Sequence, residues 1–410
     1  MKDTLDDSVE LRGRGTASLS SYLKEAQLDR LAPRNSIWRI SESSQKLGYL
    51  THNFFRFFGK FPPPVAERFI KELHDPSKGP VLDPMMGSGT TLVEAMRLGR
   101  YSIGSDVNPF FVLLGQAKTT YIPADLIRER LKNIVENTPN LEIETLIPKD
   151  RYLDHWFFPE TQRQLASIRA FIDSLPSTTE HDASVKTLMK VAFASIIRQV
   201  SRASKGLGRM FLDPAIQPQN AFEVFKQKVN EMTNGVQQLA GLGPKPVILH
   251  ATDARDLNLK SGSVGLTICH PPYFNLYRYS SIYRYELLWL GYSPKQVRSE
   301  EIKEGFKVGK AELLERYVRD MKEILLSIKK VLAFNAYCVL MIGDAEIKGK
   351  RICTTSSILY EASNIGFDIE EIIVRIPKYT EASYAAGQRR ETPKVGIKLP
   401  DHLAILKNVA

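Results

Sequence analysis

The feature that most constrains the fold is a glycine-containing loop that joins an apolar strand to a helix. This glycine loop, Asp83-Pro84-Met85-Met86-Gly87-Ser88-Gly89-Thr90-Thr91, follows a predicted strand over residues 80–83 and leads into a helix that ends near residue 98. A second strand over 101–105 ends at Asp106, and a second helix follows over 109–118. Because strand and helix alternate, we predict parallel strands in an α/β sheet with helices on both faces.

The rest of the chain predicts one Rossmann-like domain that is interrupted by helices. Residues 1–50 are predicted to form a polar N-terminal arm with one or two short helices. Helical periodicity over 121–245 predicts a helical insertion, suited to target recognition. The domain is therefore predicted to consist of residues 51–120 and 246–410. Its later strands and helices are predicted over 246–250, 263–269, 311–332, 336–342, 356–365, 369–375 and 402–407.

Composition argues against a membrane-spanning helix and favours a polyanionic partner. No stretch approaches the roughly 18 consecutive apolar residues that such a helix needs, and the N-terminus has no apolar signal core. Cys269, Cys338 and Cys353 have neither metal-ligand nor disulfide spacing, so we expect reduced thiols, no metal site and a cytoplasmic protein. The net charge of +10 suits phosphate contacts, although many basic proteins bind no nucleic acid.

The glycine loop and the next strand end predict a pocket for S-adenosylmethionine. Ligands of open α/β sheets bind beyond the carboxyl ends of the strands. Asp106, about 20 residues after the glycines, can accept hydrogen bonds from both ribose hydroxyls of an adenosine. Asp83 precedes the glycines and suits a cation, such as the ammonium group of a methionine moiety. No lysine follows Gly89, as a P-loop would require, and Leu92 stands where a dinucleotide site prefers a third glycine.

A further carboxylate, that of Asp253, follows the predicted strand over 246–250. We expect this side chain to meet the adenine amino group of the cofactor, and the alternative is a cap on a helix or a turn. The residues predicted to bind the cofactor are Asp83, Pro84, Gly87, Ser88, Gly89, Thr90, Asp106, Asn108 and Asp253.

The tetrapeptide His270-Pro271-Pro272-Tyr273, at the end of another apolar strand, offers a clamp for a planar amino group. An exocyclic amine of a base is a poor nucleophile, because its lone pair is delocalised into the ring. Acceptors for both N–H groups localise that lone pair, and in-line positioning supplies much of the catalysis. We predict the His270 imidazole and the Pro271 carbonyl as these acceptors. Pro272 would stiffen the turn, and a flipped base would stack on Tyr273. The alternative is a proline-stiffened strand end with a buried tyrosine.

These segments together resemble the amino-methyltransferases of DNA, which modify N4 of cytosine or N6 of adenine. The glycine loop is similar to their cofactor motif, and residues 53–73 are similar to the segment that covers the methionine end, where Phe61 lies. The resemblance covers most of residues 51–410. Four segments are similar to a subgroup whose clamp usually reads Ser-Pro-Pro-Tyr, namely Tyr273-Phe274-Asn275, Tyr285-Glu286-Leu287-Leu288-Trp289-Leu290-Gly291, His155-Trp156-Phe157-Phe158-Pro159-Glu160 and Ile197-Arg198-Gln199-Val200-Ser201.

The resemblance implies a class I methyltransferase fold, S-adenosylmethionine as cofactor and double-stranded DNA as partner, with the target base flipped out of the duplex. It favours N4 of cytosine as the target, with N6 of adenine as the alternative. A role in restriction–modification beside a cognate restriction endonuclease is left open, and so is the choice between monomer and dimer. Three rival functions stay open as well: an RNA amino-methyltransferase, an inactive methyltransferase-like DNA-binding protein and a methyltransferase of protein amides.

One residue departs from the family pattern. His270 stands where the family carries Asp, Asn or Ser. A neutral imidazole can accept one hydrogen bond, whereas a protonated imidazole can accept none. We therefore predict that activity falls as His270 becomes protonated.

Three groups of basic residues are predicted to contact nucleic acid. The first lies at the end of an apolar helix, the second directly follows the clamp among tyrosines, and the third lies in a basic loop near the C-terminus. The alternatives are a solvated helix end, where cations suit the helix dipole, and an ordinary surface. The three groups are Arg198, Arg202, Lys205 and Arg209, then Arg278 and Arg284, and then Arg389 and Arg390.

Overall fold

The strands of the protein follow the predicted order. The computed structural model describes residues 7–11, 15–40, 46–136, 143–204, 210–250, 252–274, 278–302, 311–347, 350–377 and 400–409. Its strands are β1 (Ser8–Leu11), β2 (Gly15–Ser18), β3 (Arg34–Ile40), β4 (Val81–Asp83), β5 (Ser102–Asp106), β6 (Val247–His250), β7 (Val264–Cys269), β8 (Leu332–Gly343), β9 (Ala345–Ile347), β10 (Lys350–Ile352), β11 (Phe367–Pro377) and β12 (Asp401–Asn408).

The helices begin at local sequence features that favour a helix start. Asn108, for example, caps the helix after β5, because its side-chain oxygen accepts a hydrogen bond from the Phe110 amide at 3.1 Å. The helices are α1 (Leu19–Glu25), α2 (Pro63–Leu73), α3 (Thr90–Arg97), α4 (Pro109–Thr119), α5 (Ala124–Glu136), α6 (Leu153–Trp156), α7 (Pro159–Ser174), α8 (Glu180–Ile197), α9 (Ala221–Gln237), α10 (Tyr279–Ile282), α11 (Arg284–Trp289), α12 (Pro294–Glu300), α13 (Ala311–Val331) and α14 (Thr354–Asn364).

Eight of the described strands form one sheet, in the spatial order β3–β11–β12–β8–β7–β4–β5–β6. Neighbouring strands are parallel except at β12, which runs antiparallel to both β8 and β11. The prediction of a Rossmann-like α/β sheet with a helical insertion is confirmed.

The strand order reverses at β4. Strands β5 and β6 extend the sheet on one side of β4, whereas β7 pairs with its other side, where Leu82 lies opposite Thr267. The crevice beyond the carboxyl ends of strands at such a reversal is the place where open α/β sheets bind ligands. The glycine loop leaves β4 at this edge and the clamp leaves β7 beside it, so the fold brings together two motifs that are far apart in sequence.

Helices cover both faces of the sheet. Along β8, Val339 and Met341 contribute to a core that includes Phe69 of α2. The alternate residue Leu340 contributes to another core, which includes Leu325 of α13. Side chains of a strand point alternately to opposite faces, so a strand buried on both sides is apolar throughout. This double burial explains why the sequence of β8 is a strong strand predictor.

The helical insertion has an apolar core of its own. Helices α5 to α9 lie between α4 and β6 in the chain, and their apolar side chains pack with residues 54–58 and α11. The indole ring of Trp289 is fully buried there. Its centroid lies 6.1 Å from that of the Phe157 ring and 6.4 Å from that of the Phe193 ring. The insertion is thereby packed against the segment that precedes the glycine loop.

The N-terminal arm contributes a strand that was not predicted from the sequence. α1 agrees with the predicted short helix, but β3 pairs in parallel with β11, from Arg34 opposite Glu371 to Ile40 opposite Pro377. An edge strand is half exposed and does not need a continuous apolar run, so its pattern is weak. Strands β1 and β2 form a separate hairpin. The domain boundaries at residues 50, 120 and 245 stay predictions.

The cysteines follow the expectation. Cys269 and Cys338 are buried free thiols in β7 and β8, and Cys353 is a partly exposed free thiol. No helix within the described ranges is long and apolar enough to cross a membrane. The same part of the chain contains no group of three or more His, Cys, Asp or Glu side chains that could hold a metal ion. The cytoplasmic location and the absence of a metal stay predictions.

Candidate active site

The glycine loop adopts a backbone conformation that favours glycine at two positions. Gly87 and Gly89 have φ angles of 43° and 69°, in the left-handed region. A Cβ atom at Gly87 would lie 2.9 Å from Cζ of Phe57, and one at Gly89 would lie 3.3 Å from Cα of Gly115. Backbone dihedrals and close neighbours therefore both require the absence of a side chain.

Two carboxylates end the strands that flank the loop. Oδ2 of Asp106 accepts a hydrogen bond from the Gly87 amide at 3.0 Å, and its Oδ1 accepts one from the Asn108 amide at 2.9 Å. Oδ1 of Asp83 accepts a hydrogen bond from the Met85 amide at 3.3 Å. Burial raises the pKa of each of these two carboxyl groups to about 7. A bound cation or hydroxyl donor would favour the ionised form of both carboxyl groups.

A buried lysine that sequence reasoning missed supports the loop. Nζ of Lys118 donates a hydrogen bond to the Ser88 carbonyl oxygen at 2.5 Å, and the Lys118 residue is 1% exposed. Burial lowers the pKa of this amine well below its usual value. The available signal was a lysine near the end of α4, an otherwise apolar helix, where a cation also suits the helix dipole.

A buried polar network attaches the segment before the loop to the helix after it. Oε1 of Glu94, in α3, lies 2.8 Å from Nε2 of His52 and accepts a hydrogen bond from the Tyr49 hydroxyl at 2.7 Å. Arg97 donates to the other carboxylate oxygen at 2.7 and 2.9 Å. Burial would raise the pKa of Glu94, but hydrogen bonds from these three side chains hold it below its usual value. Burial lowers the pKa of His52 to about 4.

Aromatic rings lie beside the loop. The centroid of the Phe57 ring lies 4.9 Å from that of Phe111, 5.4 Å from that of Tyr279 and 5.7 Å from that of Tyr283. The Phe58 amide donates a hydrogen bond to the Tyr283 hydroxyl at 2.8 Å. Helix α10 and the residue after it, which follow the clamp, therefore pack against the segment that precedes the glycine loop.

The clamp residue His270 lies between two aromatic rings at the end of β7. The centroid of its ring is 5.4 Å from that of Phe61 and 5.3 Å from that of Tyr273, which it meets edge to face at 83°. The carbonyl oxygen of Pro272 accepts a hydrogen bond from the Tyr317 hydroxyl at 2.9 Å. The structure thus brings Phe61, predicted for the cofactor, into contact with the residues predicted for the base.

Comparison with known proteins shows what the chain is similar to. Residues 9–117 match the family described as DNA methylase. The chain is 29% identical over 265 residues to the Type II methyltransferase M.MvaI of Kocuria varians, an alignment that covers 57% of this chain and 57% of that protein.

Further similarities extend this result. The Type II methyltransferase M.BsoBI of Geobacillus stearothermophilus is 23% identical over 281 residues, which cover 60% of this chain and 54% of M.BsoBI. The chain therefore spans just over half the length of these two relatives. The rRNA methyltransferase aviRa of Streptomyces viridochromogenes aligns over 90% of this chain and 94% of its own chain at 13% identity, but the TM-score of 0.34 is too low to indicate a shared fold.

The match of residues 9–117 to a family described as DNA methylase supports S-adenosylmethionine as the cofactor. The residues at the carboxyl ends of β4 and β5 suit this molecule. Asp83 and Asp106 present carboxylates for a cationic, hydroxyl-bearing ligand, and the glycines leave the backbone uncovered by side chains. Nδ2 of Asn108 is buried and has no hydrogen-bond partner within the described part of the chain, so a donor is available to a ligand. The roles of the individual residues stay predictions.

The carboxylate of Asp253 has a partner that the prediction did not include. Arg255 donates to it through Nε at 3.0 and 3.1 Å, through Nη2 at 2.6 Å and through its backbone amide at 2.9 Å. The same guanidinium donates to Asp320 at 3.3 Å. These bonds fix the turn after β6, as the turn-cap alternative expected. Contact of Asp253 with the adenine stays a prediction.

Three of the predicted nucleic-acid residues lie near aromatic rings or in ion pairs, and others lie outside the described residues. The guanidinium of Arg198 lies 5.6 Å from the Phe58 ring centroid, and that of the exposed Arg56 lies 5.1 Å from the same centroid. Arg202 lies 5.0 Å from the Phe158 ring centroid. The structure therefore places a further arginine, Arg56, on the same aromatic ring as Arg198.

The second basic group, Arg278 and Arg284, is less available for contact with phosphate. Arg284 forms an ion pair with Asp150, and Arg278 is half buried at the start of α10. Pairing occupies the Arg284 guanidinium, which weakens the expectation that it contacts phosphate. The remaining predicted residues, Lys205, Arg209, Arg389 and Arg390, lie outside the described residues.

Proposed function

We propose that this protein transfers a methyl group from S-adenosylmethionine to an exocyclic amino group of a base in double-stranded DNA, with N4 of cytosine as the first choice. The observation that carries the proposal is the adjacency of two motifs. The glycine loop follows β4 and the clamp follows β7, and these parallel neighbours meet at the reversal in strand order. A methyl donor at the loop would then lie beside a base at the clamp.

The reaction requires the protein to hold the exocyclic amine of the base in line with the donated methyl group. Bound S-adenosylmethionine supplies that methyl on a sulfonium. Tyr273 offers an aromatic face to a flipped base, and the neutral His270 imidazole accepts a hydrogen bond from the amine. The Pro271 carbonyl is the proposed second acceptor. One amine proton must leave as the N–C bond forms, and neutral His270 is an acceptor for that proton in the clamp.

One similarity bears on the target base, and two further observations bear on DNA as the substrate. The similarity of the clamp region to a Ser-Pro-Pro-Tyr subgroup favours N4 of cytosine over N6 of adenine. The relatives M.MvaI and M.BsoBI are named Type II methyltransferases, which supports DNA as the substrate and a restriction–modification role beside a cognate endonuclease. A basic chain with Arg56 and Arg198 stacked on Phe58 supports phosphate contacts next to the flipped base.

The first experiment measures transfer of labelled methyl from S-adenosylmethionine to unmethylated genomic DNA, followed by mass spectrometry of the nucleosides. N4-methylcytosine is the expected product, and N6-methyladenine would select the alternative base. Asp106→Ala and Tyr273→Ala serve as negative variants, which should lose cofactor binding and transfer respectively. Label in RNA and not in DNA would contradict the proposal.

His270 supports a second candidate, an inactive methyltransferase-like DNA-binding protein. Its ring is enclosed by Phe61 and Tyr273, where the family carries a smaller acceptor. Cofactor and DNA binding without transfer, together with restored transfer in His270→Ser, would establish this candidate. If the wild-type protein is active, His270→Ser should instead remove the loss of activity at acidic pH when S-adenosylmethionine is saturating.

A further inference from the structure

A row of three residues crosses the sheet beside the clamp. Asp401 of β12 lies opposite Gly343 of β8 on one side and opposite Arg375 of β11 on the other. Gly343 is the last residue of β8, the strand that pairs in parallel with β7. The row therefore lies at the same edge of the sheet as the clamp.

Each member of the row contributes to one chain of contacts that ends at Tyr273. A Cβ atom at Gly343 would lie 2.9 Å from Cε2 and 3.1 Å from Cδ2 of the tyrosine, so the ring packs on the bare backbone of the glycine. The Tyr273 hydroxyl donates a hydrogen bond to Oδ1 of Asp401 at 3.0 Å. Arg375 donates to Oδ2 of Asp401 through Nε at 2.9 Å and also through Nη2.

All three side chains in this chain of contacts are removed from water. Asp401 is 0% exposed, Arg375 is 2% exposed and Tyr273 is 9% exposed. A hydrogen bond to an ionised carboxylate is stronger than one between neutral groups. A buried ion pair adds little net stability, because desolvation of the charges offsets their attraction, and its clearer effect is to hold a geometry.

We propose that Gly343, Arg375 and Asp401 are positioning residues that set the plane of the Tyr273 ring for stacking of the flipped base. This inference rests on the proposed function. The glycine admits one edge of the ring, and the ion pair fixes its hydroxyl end. The centroid of the His270 ring lies 5.3 Å from that of Tyr273, and the two rings meet edge to face. The contacts that fix the tyrosine ring therefore also set the distance between the stacking surface and the proposed amine acceptor. Small displacements of reacting groups have large effects on rate.

The test uses Tyr273→Phe, which keeps the ring and removes its hydroxyl, and Gly343→Ala, which displaces the ring and leaves the hydrogen-bonding groups in place. Tyr22→Phe is the matched control, because its hydroxyl lies 2.8 Å from Nε2 of the buried His402, one residue from Asp401. Initial rates on unmethylated genomic DNA give kcat and KM, calorimetry gives cofactor affinity, and melting temperature reports stability.

We expect Tyr273→Phe, which removes one hydrogen bond to a charged group, to lower kcat on DNA about tenfold with cofactor affinity unchanged. Gly343→Ala, which displaces the ring, should also lower kcat with cofactor affinity unchanged. Tyr22→Phe should lower the melting temperature by a similar amount and leave kcat at the wild-type value. Asp401→Asn should lower kcat in the wild-type background and add nothing in the Tyr273→Phe background, because the two residues act through one contact.

Wild-type rates for Tyr273→Phe and Gly343→Ala, in a protein that methylates DNA, would overturn this inference alone. Equal effects of Asp401→Asn in both backgrounds would also overturn it, because the aspartate would then act independently of the hydroxyl. Failure of the wild-type protein to methylate DNA would overturn the proposed function first and this inference with it.

Discussion

The side-chain nitrogen of Lys118 lies 2.5 Å from the carbonyl oxygen of Ser88. This contact joins the end of α4 to the glycine loop, and it lies in an interior from which water is excluded. A buried amino group costs free energy unless it is hydrogen-bonded, so its place beside the loop indicates a role in holding the loop backbone. Cofactor binding at the loop should therefore depend on this lysine.

Replacement of Lys118 by Met should weaken cofactor binding without unfolding the protein. Methionine keeps a long apolar stem, and replacement of a buried charge by an apolar group is often neutral or stabilising. Loss of the donor to Ser88 should lower cofactor affinity by about tenfold. Calorimetric titration with S-adenosylmethionine and a melting curve measure the two quantities. Lys190→Met, a partly buried lysine of α8, is the control, and an equal loss of affinity there would contradict a specific role for Lys118.

Cofactor affinity should depend on pH near neutrality. Burial raises the pKa of Asp83 and Asp106 to about 7 in the unliganded protein. Below that pH both carboxyl groups bind protons and lose their attraction for a cationic ligand, so affinity should fall by at least about tenfold between pH 8 and pH 6. Titration at constant ionic strength measures this change. Asp106→Asn should bind more weakly at every pH and with a smaller pH dependence, and a flat profile in the wild type would contradict the prediction.

The raised pKa values of Asp83 and Asp106 have the opposite effect on the stability of the cofactor-free protein. The folded state holds these protons more tightly than the unfolded chain, whose carboxyl groups titrate near pH 4. The two groups therefore stabilise the fold at low pH, and their contribution to the free energy of unfolding falls as pH rises from about 4 to about 7. Saturating S-adenosylmethionine should reduce this slope in denaturant titrations. An unchanged slope would show that other groups dominate.

Replacement of Glu94 by Ala should be strongly destabilising. It removes the partner of His52, Tyr49 and Arg97 at once, and breaking a buried charged pair costs about 3–5 kcal/mol. Chemical denaturation measures the loss. Glu72→Ala breaks an exposed pair with Arg68 on α2 and should cost less than about 1 kcal/mol. Similar losses in the two variants would mean that the buried network does not hold residues 49–60 against α3.

Arg198 should contribute one phosphate contact to DNA binding. Arg198→Ala should weaken binding to all sequences alike and reduce the slope of log affinity against log salt by about 1. Fluorescence anisotropy with duplex DNA over a range of salt concentrations measures that slope. Arg284→Ala is the comparison, because its guanidinium is paired with Asp150 and should leave the slope unchanged. A smaller slope for Arg284→Ala together with an unchanged slope for Arg198→Ala would contradict the prediction and would indicate that DNA passes beside α11.

The elements with regular patterns were predictable. Strands β4, β7 and β8 are buried on both faces, so their sequences are continuous apolar runs, and the glycines at 87 and 89 mark a loop that needs positive φ. The family resemblance then indicated that the glycine loop and the clamp serve one reaction. These features depend on local composition, which is written directly in the chain.

Other features depend on residues that meet only in the folded protein. β3 is an edge strand whose half-exposed pattern predicts little, and the sequence around Lys118 does not name Ser88 as its partner. The residues that contact or hold the Tyr273 ring come from three separate strands. The sequence thus determined which segments form the central strands of the sheet and which motifs are predicted to carry the chemistry, because burial and backbone dihedrals select residue types locally. The tertiary structure alone decided how Asp401 and Arg375 hold the clamp, because a long-range ion pair leaves no periodic trace in either strand.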